Sequence, residues 1–315
     1  MTQVLANSLV PIFVGLIFGY AAGLFKVVDN KDVKSLVSFL MTFALPSSLF
    51  VAIALTPRPL LREQAKAAVV LATVFLAVFV ATYYASRKLS KETAANSAVL
   101  ALTLGFPNHA GIGIPLLLAV YGPTASVSVA VGLAVGAITI TPITLAILES
   151  ESSEGETMSP AARICTSLWR ALQKPVFWAP VLGVLASVVK FHMPIYVDKS
   201  LTILGGATEG TALFVTGLIA SAQRINLNWD VGWAVLGKTV LQPALCLAIA
   251  LFLGMPLEQT RFAVLLSAIP SGFFGVLFGK GFDATPEVAS SSLIASTLLS
   301  IFTLAGWIVL LSHLH

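Results

Sequence analysis

Charged residues are scarce in this sequence. Asp, Glu, Lys and Arg make up only 10% of its 315 residues, whereas soluble domains carry about 25%. Because 57% of the residues are hydrophobic, the composition argues against a soluble globular protein and predicts a polytopic membrane protein. A spanning helix needs roughly 20 apolar residues, so the chain has room for about ten. The net charge of +4 belongs to the loops and does not indicate binding to nucleic acid.

Motifs for catalysis, metal ions and cofactors are also lacking. Cys165 and Cys246 lie far apart and suggest no disulfide framework. The sequence has no phosphate-binding GxxxxGK[ST] loop, no nucleophile motif and no pair of intramembrane aspartates. The histidines lack metal-ligand spacing; they are His109, His192, His313 and His315. We therefore expect no enzyme activity, no catalytic residues, no metal site and no cofactor.

The hydrophobic runs divide the chain into ten predicted spans. They cover residues 3–25, 33–55, 65–86, 93–121, 124–148, 174–191, 198–221, 229–253, 259–281 and 286–311. The fourth and ninth of these spans are interrupted by proline and glycine. The longest polar stretch, 149–173, is the expected linker between a first half at 1–148 and a second half at 174–315.

The two halves share short sequence matches, which indicate an internal repeat. Pro11-Ile12-Phe13 in the first span matches Pro175-Val176-Phe177 in the sixth, and Pro107 matches Pro270 at nearly the same offset. Each repeat would hold five spans, and an odd number turns the second copy upside down. The predicted fold class is thus an all-α polytopic membrane protein of two inverted five-helix repeats, with broken helices four and nine crossing at the midplane.

Lys and Arg are more frequent in alternate loops, beginning with the first. Because cytoplasmic loops carry the excess of these residues, this bias predicts a cytoplasmic central linker. Both termini would then lie on the outer, periplasmic side of a cell inner membrane.

The fourth span is interrupted at Gly105–Pro115. Within this stretch Pro107, Asn108, His109 and Gly111 stand where a spanning helix normally has leucine or valine. Proline removes a backbone donor, and irregular backbone at this depth survives only when it is buried in protein or lines a cavity. Such a break in a spanning helix is a sequence indicator of a transporter binding site. The alternative is that proline and glycine merely kink a packed helix.

The ninth span has a matching interruption from Ala268 to Gly275. Here Pro270 is followed by Ser271 and Gly272, with the serine in the place of the amide of the first break. If the two broken helices cross, the N-termini of their second halves point positive dipole ends into the middle of the membrane. We therefore expect an anion to bind there.

Four polar residues within the spans, including His109 of the first break, are candidates with open alternatives. Lys238 could bind a substrate carboxylate or pair with an acid, or it could snorkel towards the membrane surface. Glu209 could carry a proton, pair with Lys238 or face a wet crevice. His109 could bind a coupled proton or serve as a hydrogen-bonding residue near substrate. Ser47, beside Pro46, could contact substrate or bond to its own helix.

Several of these motifs, taken in order, resemble the auxin efflux carrier family in its bacterial, malonate-transporter-like branch. The resemblance covers nearly the whole chain and is carried by Pro46-Ser47-Ser48, Phe106–Pro115, Ala212–Gly217, Lys238 with Pro243, and Ala268–Gly272.

The resemblance implies a ten-helix fold with two crossing helices. It also implies a scaffold of spans one, two, six and seven, against which the other spans move as an elevator. Substrate would meet Pro107, Asn108 and Pro270 at the crossing. The chain departs from the family pattern at Glu209-Gly210, where we expect a neutral residue in relatives.

These observations together predict a secondary active transporter of a small organic anion, such as malonate or a related carboxylate. Proton coupling or movement driven by membrane potential is favoured over sodium, because no acid lies beside Asn108 or Ser271 in the sequence. The alternatives are a sodium-coupled symporter of organic anions and a membrane sensor that binds the anion without moving it. The expected partners are the carboxylate, a proton and the lipid bilayer, with a homodimer left open.

Overall fold

A computed structural model of the protein describes residues 2–29, 33–122, 125–152, 166, 169, 173, 175–222, 226–284 and 286–314. These residues are almost entirely helical. Most of the predicted linker 149–173 lies outside the described residues.

The helices of the described part of the chain follow one another in sequence as α1 to α14. They are α1 (Thr2–Leu24), α2 (Val33–Ala54), α3 (Arg58–Glu63), α4 (Ala65–Ser90), α5 (Ala94–Gly105), α6 (Ile114–Tyr121), α7 (Ser126–Ile138), α8 (Ile140–Ser152), α9 (Pro175–Val189), α10 (Ile195–Ser221), α11 (Trp229–Phe252), α12 (Leu257–Ala268), α13 (Phe274–Gly281) and α14 (Glu287–Ser312).

Length and composition identify the membrane-spanning candidates. Within the described residues, six helical stretches are long and apolar enough to cross a membrane, namely α2, α4, Val127–Ser152, α10, α11 and α14. Shorter apolar helices lie at Phe13–Leu24, Ala94–Gly105 and Trp178–Val189. The prediction of an all-helical, polytopic architecture is confirmed at this level, whereas the ten-helix inverted repeat stays a prediction.

One set of helices is formed by α1, α2, α9 and α10, which pack against one another. Glycine allows α1 and α10 to approach backbone to backbone. A Cβ on Gly19 would overlap the Phe214 carbonyl, and a Cβ on Gly217 would overlap the Leu16 carbonyl. Small residues at such contacts are typical of helix packing in membranes, where lipid offers no hydrophobic driving force for association.

The remaining long helices form a second set around α5. This short helix is buried along most of its length and packs against α4, α8, α13 and α14. The two sets meet where α2 contacts α7 and α13, and where α1 contacts α6. The breaks before α6 and α13 therefore lie in the second set, close to its boundary with the first.

Candidate functional site

The first break begins where α5 ends at Gly105. Phe106 is extended, with φ −106° and ψ 102°, and a π-helical turn follows at His109–Gly113. The second break separates the end of α12 from the start of α13 and contains Ile269, Pro270, Ser271, Gly272 and Phe273. Proline accounts for both interruptions, because it has no N–H to donate within a helix.

The two breaks are joined to each other by backbone hydrogen bonds. Asn108 N–H donates to the Pro270 carbonyl at 3.0 Å, and Pro107 and Ser271 form an antiparallel bridge. Gly272 N–H donates to the Thr103 carbonyl at 3.0 Å. The structure thus brings the predicted residues of both breaks together, and each break satisfies backbone groups that the other leaves open.

Glycine is required where the breaks touch. A Cβ on Gly272 would overlap the carbonyl oxygen of Phe106 and lie 3.2 Å from its carbonyl carbon. The approach is backbone to backbone, so no side-chain rotation can relieve it. Gly272 is therefore a packing position at the junction.

Hydroxyl and amide side chains are buried at this junction. Asn108 is 3% exposed and Ser271 is fully buried. The Ser271 N–H donates to Ser296 Oγ on α14 at 3.2 Å, whereas Ser271 Oγ has no hydrogen-bond partner among the described residues. A buried hydroxyl without a partner is costly, so Ser271 Oγ is a candidate contact for a ligand.

His109 links the first break to the end of α12. Its Nε2 lies 3.1 Å from the Leu266 carbonyl, and its ring packs 5.8 Å from Phe75 and 5.9 Å from Phe106, measured between centroids. Gly132 lies against the imidazole; a Cβ there would come within 3.0 Å of Cε1. The geometry gives His109 a clear hydrogen-bonding role, while its role in proton coupling stays a prediction.

Lys238 and Gln242 connect the ends of both broken helices. Lys238 Nζ donates to Gln242 Oε1 at 2.8 Å and to the Ser267 carbonyl, in the last turn of α12, at 3.1 Å. Gln242 Nε2 in turn donates to the carbonyl of Gly105, the last residue of α5, at 3.2 Å. Helix C-termini leave carbonyls without partners and carry partial negative charge. We call the pair Lys238 and Gln242 the clasp. It provides a hydrogen-bond donor to one such carbonyl on α12 and to one on α5.

A π-helical turn in α11 accompanies the clasp. Pro243 cannot donate to the Thr239 carbonyl four residues before it, and the helix widens at Gly237–Leu241. Trp307 Nε1 donates to that carbonyl at 2.9 Å instead. The local sequence thus explains the turn, and α14 supplies the missing donor.

Three predicted site residues have no described contact with the junction of the breaks. Ser47 lies in another part of the structure, and the side-chain surroundings of Gly111 and Glu209 are outside the described part of the chain. Ser47 is buried in α2, next to Ser48, which packs against Gly205 of α10. Gly111 falls inside the π-helical turn after the first break, and its surroundings lie outside the described part. Glu209 belongs to α10, and its side chain also lies outside the described part. Since α10 packs on α1 and α2, and the turn holding Lys238 packs on α12 and α14, Glu209 and Lys238 belong to different helix sets.

Three cavities lie along one face of α2. This face consists of residues spaced four positions apart, and each cavity is lined by one or two of them. These residues are Val37, Met41, Leu45, Leu49 and Ile53. A cavity of about 1070 Å³ lies between α2, α4, α7 and α9, with Arg58 and Arg62 at its edge. One of about 190 Å³ lies near the start of α2.

Between these two lies a cavity of only about 10 Å³, lined by Phe106, Phe274 and Phe278 from the region of the breaks. This volume is at the lower limit for a single water molecule. The rings of Phe106 and Phe274 are 5.1 Å apart, between centroids. In this conformation, phenylalanine side chains therefore close the space between α2 and the two breaks.

Comparison with known proteins identifies the family. The model of the family described as membrane transport protein matches residues 4–308 of the chain. The chain belongs to this family. It is the family of the auxin efflux carriers, so the resemblance drawn from the sequence is confirmed.

Relatives in the family include bacterial and plant proteins. “Uncharacterized transporter YfdV” of Escherichia coli (strain K12) is 27% identical over 306 residues, 96% of this chain and 96% of that protein. The “Putative malonate transporter” of Rhizobium meliloti (strain 1021) is 26% identical over 316 residues, 97% of this chain and 95% of that protein. “Auxin efflux carrier component 8” of Arabidopsis thaliana is 27% identical over 157 residues, 47% of this chain and 43% of that protein. The family and these names indicate a membrane transporter rather than an enzyme, and the helices long enough to cross a membrane indicate a multi-pass protein.

The sequence did not predict several residues that the structure places at this candidate site. Gln242 and Ser296 contact the breaks, and Phe274 and Phe278 close the space beside them. A signal existed for Gln242, which is an amide inside a span and one helical turn after Lys238. The others look like ordinary residues of a packed helix in the sequence.

Proposed function

We propose that this protein is a secondary active transporter of a small organic anion, with malonate or a related carboxylate as the substrate class. The observation that carries this proposal is the junction of the two helix breaks, which Asn108 and Pro270 join at 3.0 Å. The helical segments after each break start beside this junction, and helix N-termini attract anions. Asn108, Ser271 and the backbone around Pro107 are the proposed contacts.

The proposed movement is an elevator. The helices α1, α2, α9 and α10 would form the fixed unit, and the helices that hold the breaks would slide along the apolar face of α2. The cavities on this face support the idea, because they lie at both ends of the helix with the phenylalanine closure between them. In such a cycle the closure would open to one side of the membrane at a time.

The finer architecture belongs to the same proposal. We infer two inverted five-helix repeats whose broken helices cross at the midplane, in a cell inner membrane. Both termini would be periplasmic and the linker cytoplasmic, as the distribution of Lys and Arg predicts. A proton or the membrane potential would drive transport in preference to sodium, and a homodimer is compatible with this arrangement.

Uptake into proteoliposomes tests the proposal. Purified protein would be given labelled acetate, malonate and succinate, with proton, sodium and potassium-diffusion gradients imposed one at a time. Saturable uptake of one carboxylate, driven by a proton gradient or potential, is the expected result. Uptake that requires sodium would contradict proton coupling and favour a sodium-coupled symporter. Saturable binding without counterflow would favour a membrane sensor.

The contribution of Asn108 can be measured in the same assay. Asn108→Ala should abolish transport while the protein stays folded, because the substitution removes the proposed polar contact at the junction. Asn96→Ala is the matched control, since Asn96 lies in the first turn of α5 and bonds to Glu92. Equal uptake by Asn108→Ala and the unmodified protein would exclude the proposed binding position.

A further inference from the structure

Lys238 is a buried cation whose described hydrogen bonds go only to neutral groups. It is 1% exposed, and its acceptors are the Gln242 side chain and the Ser267 carbonyl. Among the described residues, no carboxylate lies within ion-pair distance of its Nζ. A lysine at such depth whose described acceptors are all neutral indicates a functional role.

The two acceptors suit both protonation states of this side chain. A neutral amine has two N–H groups and one lone pair, so it can satisfy Gln242 and Ser267 and still accept a proton. The ammonium form has three N–H groups and keeps the same two bonds. Lys238 can therefore gain and lose a proton without breaking the clasp.

A cavity connects Lys238 with the polar end of its helix. It has a volume of about 550 Å³ and runs between α4 and α11, with Lys238 and Gln242 in its wall. Ser90, Glu92 and Asp230 line the same cavity. Asp230 precedes Lys238 by about 12 Å along the helix, at 1.5 Å per residue. Apart from these polar groups and the clasp the wall of the cavity is mostly apolar, so the cavity offers a proton a route from the polar end of the helix to the amine.

Protonation of Lys238 acts on both broken helices. A positive charge is favoured beside the carbonyl of Ser267, because the C-terminal end of α12 is partially negative. Gln242 extends this contact to the end of α5. The added charge also lies near the junction, where it offsets the charge of a bound anion.

Other ionisable groups lie on the elements around Lys238. They are Asp230 and Cys246 on α11, Lys66, Tyr83, Tyr84, Arg87 and Lys88 on α4, Glu92 between α4 and α5, His109 after the first break, Glu258 and Arg261 in the first two turns of α12, and Glu287 in the first turn of α14. Of these, Cys246 and His109 share the buried surroundings of the clasp.

We propose that Lys238 is the coupling residue of the transporter: its amine accepts one proton from water in the cavity between α4 and α11, and the resulting ammonium promotes anion binding. This inference rests on the proposed transport function. The proton forms an N–H bond with the lone pair of Nζ and returns to water when the anion is released, so the step needs no other reactant.

Two modes of transport separate coupling from binding. The assay uses the proteoliposomes described above and the carboxylate of the panel that the unmodified protein transports. One mode imposes an inward proton gradient of about one pH unit, which drives about tenfold accumulation per coupled proton. The other mode is counterflow of labelled against unlabelled carboxylate at equal pH. A pH-sensitive dye inside the liposomes records proton entry.

Two substitutions of Lys238 remove its proton exchange. Lys238→Gln deletes the titratable amine and its charge, whereas Lys238→Arg introduces a guanidinium that stays positively charged. Both should lose gradient-driven accumulation and proton entry, and at least one should keep counterflow within about tenfold of the unmodified protein. Gln242→Leu weakens the clasp but keeps the amine, so it should still respond to the proton gradient.

Several results would overturn the inference. Gradient-driven accumulation by Lys238→Gln equal to that of the unmodified protein would exclude the coupling role. Loss of counterflow in both Lys238 variants, with unchanged thermal stability, would mean that Lys238 serves transport itself rather than coupling. If the unmodified protein transports the carboxylate at a rate that does not depend on the proton gradient, this inference is overturned and the proposed transport function stands. Absence of transport for every carboxylate would instead refute the proposed function.

Discussion

Replacing Gly272 by alanine tests whether the contact between the two breaks organises the site. The added Cβ would overlap the Phe106 carbonyl oxygen, and both partners are backbone. The breaks must separate by more than about 1 Å before that oxygen reaches ordinary van der Waals distance. Such a shift stretches the bond from Asn108 N–H to the Pro270 carbonyl, now 3.0 Å, to about 4 Å, which is beyond hydrogen-bonding range.

The cost can be worked from these contacts. Overpacking of a filled site costs about 1–3 kcal/mol. The bonds of Asn108 to Pro270 and of Gly272 to Thr103 would each contribute about 1 kcal/mol more when lost. Gly272→Ala should therefore destabilise the protein by about 3–5 kcal/mol if the junction does not relax, and less if it opens. Transport should fall in either case, because the proposed contacts move apart.

Two measurements check this expectation: the thermal stability of the detergent-solubilised protein and counterflow in liposomes. Gly232→Ala is the matched control, since a Cβ on Gly232 of α11 meets nothing within 4 Å. Alanine is also the better helix former, by about 1 kcal/mol, so this control should be neutral or stabilising. If Gly272→Ala matches the control in both stability and counterflow, the contact between the breaks does not constrain the site.

Three further outcomes follow from described contacts. Gly19→Ala should lower the melting temperature by several degrees in a thermal-shift assay, because its Cβ would overlap the Phe214 carbonyl, whereas Gly210→Ala, with open space around it, should not. Ser271→Ala should leave the melting temperature unchanged but weaken carboxylate binding by calorimetry; unchanged affinity would exclude its hydroxyl as a contact. Gln242→Leu should cost about 1–3 kcal/mol of stability, because it leaves a helix-end carbonyl unpaired, and an unchanged melting temperature would show that water replaces the amide.

The positions of both breaks could be predicted from the sequence because their causes are local. Proline lacks an N–H, so a helix that meets Pro107 or Pro270 must release carbonyls near that position. The observed helices end at Gly105 and Ala268, two residues before each proline. The same local rule places a π-helical turn before Pro243.

The hydrogen-bond partners of the predicted polar residues could not be predicted from such local rules. The sequence marked Lys238 as a cation at depth, with a carboxylate as one partner, yet its described contacts are an amide and a carbonyl. His109 was marked as titratable and is seen to bond to a carbonyl of α12. Both outcomes depend on which helix packs alongside, and the hydrophobic pattern of one span does not specify its neighbour.

The amino-acid sequence by itself determined that the chain is helical, membrane-spanning and interrupted at two matching places, because composition and proline act over a few residues. Only the tertiary structure decided that the interruptions touch, that Gly272 permits the contact, and that Gln242 reaches Gly105 across 137 positions of sequence. Those contacts arise from packing, in which each helix satisfies backbone groups that another has left open, since the membrane interior supplies no water to do so.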